Sequence, residues 1–141
     1  MKNILIIFFL LASWLDAQEV VVKKDCEKVT TSFKMMSDGT KINHKNIILL
    51  EKVLIDNSST KEEKENAHKA INDMNKKTSD RALNSQYPSM YEEMKEAYIV
   101  NCGSFTAENN ETIAGMVNRS IDFNNIMAKT IGDELSLSKI K

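Results

Sequence analysis

VVKKDCEKVTTSFKMM, residues 21–36, is the stretch on which the fold turns. Val22, Cys26, Val29, Phe33 and Met36 recur at steps of four, three, four and three, the spacing of one face of an α-helix. Cys26 lies on that apolar stripe, so its sulfur is expected to point towards other helices. Asp38-Gly39 follows and predicts a stop, with Gly39 suited to the left-handed residue that ends helices.

Upstream, one basic residue, Lys2, precedes an unbroken apolar run from Ile4 to Leu11, extended through Trp14 and Leu15. Ala17 stands where a signal peptidase could cut, although Leu15, two residues earlier, is larger than the residue preferred there. The run is about 12 residues long, short of the roughly 20 that span a bilayer. Residues 1–17 are therefore expected to be a signal peptide. Residues 18–141 are expected to form a single secreted, extracellular helical domain without stable membrane insertion.

Export would bring the chain's two cysteines, Cys26 and Cys102, into an oxidising compartment. A Cys26–Cys102 disulfide is the expectation, closed either within the chain or between two copies. Within the chain it would close a long loop worth somewhat over 4 kcal/mol in the chain-entropy model. Three glycosylation sequons suit the same route: Asn57-Ser58-Ser59, Asn110-Glu111-Thr112 and Asn118-Arg119-Ser120.

Composition narrows the fold and the partners. With 4 Gly, 1 Pro and few aromatics, the balance favours helices over a turn-rich β sandwich. Basic and acidic residues nearly cancel, 19 against 20, which argues against nucleic acid or an anionic membrane as the main partner.

Downstream, the apolar run Ile47 to Ile55 predicts a helix from about Asn43 to Asp56, the most buried element. Ser59 and Glu62 stand at capping-box spacing for a third, thinly apolar helix. It carries Ala67, Ala70, Ile71 and Met74 inward, has Lys76 and Lys77 near its end, and extends towards Leu83. Pro88-Ser89, with Glu92, opens a fourth helix on which Tyr91, Met94, Tyr98 and Cys102 share a face before Gly103. A fifth runs from about Thr106 towards Leu135, with Ile113, Met116, Val117, Ile121, Met127 and Ile131 inward. Glu111, Asn118, Asp122, Asn125 and Lys129 line its opposite face, and Ser136 to Lys141 is expected to fray. The fold class is thus all-α, a small bundle of about five helices tied by one disulfide.

Chemical motifs are sparse. His44 and His68 have no histidine or cysteine at metal-binding spacing, and His68 lies among charged neighbours. Glu92 and Glu93 point about 100° apart on a helix and make no catalytic pair. No phosphate loop, dinucleotide fingerprint, calcium loop or zinc motif occurs, so no catalytic residue, metal or cofactor is expected. The methionines adapt to irregular cavities as well as to cores. Met36, Leu50, Met94, Tyr98, Met116 and Met127 are therefore candidate lining of an interhelical cavity.

Together these features predict a secreted, non-enzymatic glycoprotein acting through a face that binds an extracellular protein, receptor or cell surface. The alternative is an extracellular carrier of a lipid or other small hydrophobic molecule. In size, signal and helical layout the chain resembles insect odorant-binding proteins and other small secreted helical binders, a likeness of layout only. Those insect proteins typically carry six cysteines where this chain has two, so no residue is carried over.

Overall fold

A computed structural model describes residues 2–78, 86–132 and 137–141, with side chains described over 24–74, 86–132 and 137–141. Over these residues the chain forms four helices and no strand: α1 (Lys2–Ile55), α2 (Lys61–Thr78), α3 (Gln86–Cys102) and α4 (Ala107–Ile131). The first two expected helices are one. Cys26, Val29, Phe33, Ser37, Thr40, His44, Ile47, Glu51 and Leu54 are all at least half-buried, at steps of three and four that stay in phase across Gly39. Packing on both sides of Gly39 outweighs the ~1 kcal/mol that a mid-helix glycine costs, and this glycine takes no positive φ. Residues 2–17 of the expected signal peptide lie within α1, their side chains outside the described set, as is that of Val22.

A turn at Asp56 ends α1. Its Oδ1 accepts from the backbone N–H of Ser58 at 2.8 Å and from the Ser58 hydroxyl at 2.7 Å. The cap of α2 lies one residue later than the Ser59–Glu62 pair predicts. Thr60 Oγ1 accepts from Glu63 N–H at 3.2 Å, while Glu63 Oε2 accepts from Thr60 N–H at 2.7 Å, a reciprocal capping box. As expected, α2 is an outer helix, burying Ala67 and Ile71. The side chains of Lys76 and Lys77 and the extension towards Leu83 lie outside the described residues.

Helix α3 starts two residues before Pro88, which is tolerated because first-turn N–H groups have no intrahelical partner. Ser89 and Glu92 therefore lie inside the helix and do not cap it. Gly103, at φ 69°, ends α3 with its N–H on the Ile99 carbonyl at 3.0 Å. Helix α4 is capped by Thr106, which accepts from Asn109 N–H at 3.2 Å, and ends at Ile131 through left-handed Gly132. It stops short of Leu135 because Gly132 turns its N–H back onto the Ala128 and Lys129 carbonyls.

The most buried element is α4, not Ile47 to Ile55. Ile113, Met116, Val117, Ile121, Met127 and Ala128 are buried on it, whereas Leu49 and Ile55 are exposed on α1. One apolar cluster joins Tyr87, Met94 and Tyr98 of α3 to Ile113, Met116, Val117 and Ile121 of α4, with Val29 and Phe33 against it. A second joins Ile47, Ile71 and Met127, flanked by Leu50, Leu54, Met74 and Phe123. Phe33 meets Tyr98 edge-on, ring centroids 5.2 Å apart, worth about 1 kcal/mol beyond area burial.

Cys26 and Cys102 form an intramolecular disulfide with Cα atoms 4.7 Å apart, joining α1 to the last residue of α3. Closing a 76-residue separation gives about 4.5 kcal/mol as an entropic ceiling. Among the described residues, no helix is long and apolar enough to cross a membrane.

The end of the chain is held in place instead of fraying. Residues 137–141 run without helical structure beside α4, and Leu137 and Ile140 pack against the first cluster. The face bearing Asn118, Asp122 and Asn125 is therefore covered, not open to solvent.

Candidate functional site

Ser37, Thr40 and His44 interrupt the apolar inward stripe of α1 between Phe33 and Ile47, and α4 answers them. Arg119 Nη2 donates to Ser37 Oγ at 2.7 Å and to the Ser37 carbonyl at 3.3 Å, while Nε donates to Thr40 Oγ1 at 3.2 Å. Gly115 makes room for this guanidinium, since a Cβ there would stand 3.1 Å from Arg119 Nη1. Burial pulls the Arg119 pKa below the ordinary guanidinium value, with Asp38 opposing the shift. One turn on, His44 Nε2 lies 3.5 Å from Asp122 Oδ2, which also pairs with Lys139 Nζ at 2.9 Å.

The His44–Asp122 pair is half of what a hydrolytic centre needs. Among the described residues no hydroxyl is hydrogen-bonded to His44, and no group of three metal-binding side chains comes together. His68 is exposed on α2. The geometry of His44 suits a positioning contact between α1, α4 and the C-terminal segment.

Beside the polar layer a cleft of about 530 Å³ opens between α1, the start of α3 and α4. Met36, Met90, Met116 and Tyr87 form its apolar wall, and Gly39, Thr40, Asn43, Gln86 and Ser120 supply polar edges. Of the six expected lining residues only Met36 and Met116 are here. Met94 and Tyr98 are buried in the first cluster, while Leu50 and Met127 belong to the second. Tyr87 and Met90 take their place. Tyr87 is hard to find in the sequence because it directly precedes Pro88, in a segment that reads as a break. Asn124, 5% exposed, donates to the Tyr87 hydroxyl and to the Ser120 carbonyl at 2.7 Å. Its Oδ1 has no hydrogen-bond partner among the described residues.

The far side of α1 offers a different surface. Met35, Ile42 and Leu49 are 69%, 61% and 50% exposed, at seven-residue spacing. Each lies two residues from Ser37, Thr40 or Ile47, about 200° around the helix and so away from the core. Lys34, Lys41, Lys45 and Lys52, all exposed, fall on one flank of this stripe, about 60–100° from its centre. Asp38 lies among them, its carboxyl held below the ordinary value chiefly by a hydrogen bond from Lys41 at 2.9 Å.

The sequons differ in setting. Asn57 is exposed in the α1–α2 turn, and Asn110 is exposed in the first turn of α4, its Oδ1 accepting from the Tyr91 hydroxyl at 2.5 Å. Asn118 is half-buried within α4 and pairs through both amide atoms with Ile140. Compared with known protein families, curated proteins and solved structures, the chain matches none.

Proposed function

We propose that this chain is an exported, non-enzymatic glycoprotein that binds a partner protein through the outer face of α1. The observation that carries the reading is the row Met35, Ile42 and Leu49, exposed side by side on the helix face turned away from the core. Apolar residues repeating every seven positions suit a second helix packed along them, and the lysines on one flank suit acidic residues along that helix. The partner is therefore an amphipathic helix with an acidic margin on an extracellular protein or receptor.

The test is capture of a stoichiometric partner by the secreted chain, compared with M35D/L49D and with K41E/K45E. Both variants alter exposed side chains, so an unchanged helical circular-dichroism signal is the control for each. Loss of capture by both, with weakening at high salt for the wild type, supports the reading; equal capture by wild type and M35D/L49D defeats it.

The cleft supports a second reading, an extracellular carrier. Its volume and its wall of three methionines and a tyrosine suit a small hydrophobic molecule with a polar end. A defined ligand in organic extracts of the natively secreted protein, lost on filling the cleft with Ser120→Phe, would favour it; extracts without one exclude it.

A further inference from the structure

The hold of α4 on residues 137–141 has the form of peptide recognition. Asn125 donates from Nδ2 to the Leu137 carbonyl at 3.0 Å and accepts the Leu137 N–H on Oδ1 at 2.7 Å. Asn118 repeats the pattern on Ile140, donating to its carbonyl at 3.1 Å and accepting its N–H at 2.8 Å. Each amide thus satisfies both backbone groups of one residue, as a neighbouring strand would. Side-chain identity does not enter these four bonds, so any extended chain can make them.

The spacing explains why two asparagines suffice. Seven residues of helix separate Asn118 from Asn125, a rise of about 10.5 Å. Three residues of extended chain separate Leu137 from Ile140, about 10 Å. The two repeats coincide, and the peptide runs antiparallel to α4. Selectivity comes from what lies between the asparagines. Asp122 sits on the same face and holds Lys139 at 2.9 Å, and the first cluster receives Leu137 and Ile140.

The geometry points to a groove along α4 that binds an extended segment of another polypeptide with the pattern apolar, any, basic, apolar, the chain's own residues 137–140 being its resident occupant. This surface is separate from the outer face of α1, and the inference stands whether or not that face binds a helix. A resident segment on the same chain competes at an effective concentration of order millimolar, so a partner segment must match the groove better than Leu137-Ser138-Lys139-Ile140 does.

The probe is an acetylated peptide, Leu-Ser-Lys-Ile-Lys, titrated against full-length L137D/I140D, in which the resident segment is detached. Binding is read by calorimetry for every variant, and the side-chain amide resonances of Asn118 and Asn125 locate the site in those that keep both residues. The expected result is saturable binding, at least tenfold tighter than to the wild type. A peptide with Glu for the lysine should bind several-fold more weakly, and L137D/I140D carrying N118A/N125A should not bind. If L137D/I140D fails to fold, the same titration on the wild type reads displacement, as movement of the Leu137 and Ile140 amide signals with added peptide. The inference is overturned by a folded L137D/I140D that ignores the peptide, or by binding indifferent to N118A/N125A. It is equally overturned by a dimer of the wild type that L137D/I140D abolishes, since the occupant would then be a second copy.

Discussion

Replacing Arg119 with methionine removes three hydrogen bonds to α1 and strands the Ser37 hydroxyl, on a residue only 4% exposed. A buried hydroxyl left unpaired costs about 1–3 kcal/mol, and a bond to a charged donor is worth a similar amount. Thr40 suffers less, because its hydroxyl still donates to the Ser37 carbonyl at 2.8 Å. Against this, the methionine packs without a desolvated charge, which returns part of the loss. The net expectation for Arg119→Met is about 2 kcal/mol of destabilisation, or roughly 6–10 °C in Tm for a domain of this size. The informative measurement is the double-mutant cycle with Ser37→Ala by urea denaturation. With the hydroxyl gone there is nothing to strand, so Arg119→Met in the Ser37→Ala background should cost under about 1 kcal/mol, a coupling of at least about 1 kcal/mol. Additivity within about 0.3 kcal/mol would show that the guanidinium is not held by Ser37, and the account of why α1 continues through Asp38-Gly39 would fail with it.

Gly39→Ala should stabilise the chain by about 0.5–1 kcal/mol, because a Cβ there meets nothing within 4 Å; a lower urea midpoint would contradict a continuous α1. Glu63 has its pKa lowered from 4.5, first by the Thr60 N–H and then by the Thr60 hydroxyl. A depressed carboxyl contributes stability above its unfolded pKa and loses it as pH falls through the folded one. Wild type should therefore exceed Glu63→Gln in thermal stability at pH 7, with the gap closing below about pH 4; a gap unchanged at pH 3 would rule out the cap as its source. When the chain is passed through a eukaryotic secretory route, Asn57 should carry glycan and Asn118 should not, because the Asn118 amide is engaged by Ile140. Site-by-site mass spectrometry checks this, and full occupancy of Asn118 would mean that the C-terminal segment had left α4.

The all-helical class, the inward faces of α2, α3 and α4 and the Cys26–Cys102 pairing were all legible, because each rests on apolar residues or cysteines at helical spacing. Gly103 as a stop was legible for a local reason, being a glycine placed directly after an apolar stripe ends. Gly39 looks the same locally and behaves differently. The residues that carry α1 past it, Ser37, Thr40 and His44, are polar, and their partners Arg119 and Asp122 lie some eighty residues away. Hydrophobic periodicity cannot register an inward position filled by a serine. The tail misled for a similar reason, since Asn118, Asp122 and Asn125 read as a solvated face while they are the surface that grips it. The cleft was only half visible: methionines announce adaptable packing, but which of them border open space depends on how α3 enters at Tyr87.

Methionine-rich contacts are permissive, and on their own they would let α1 slide along α4 to several packings of similar energy. The layer of Ser37, Thr40 and Arg119 removes that freedom. Moving α1 by one turn would set the guanidinium against the Phe33 ring in one direction or against the Lys41 and His44 positions in the other, and in neither would it keep the Ser37 and Thr40 oxygens. The two soft clusters on either side can then reshape around substitutions or guests while the helices keep a single alignment, much as a keyed shaft stays in phase inside a compliant sleeve.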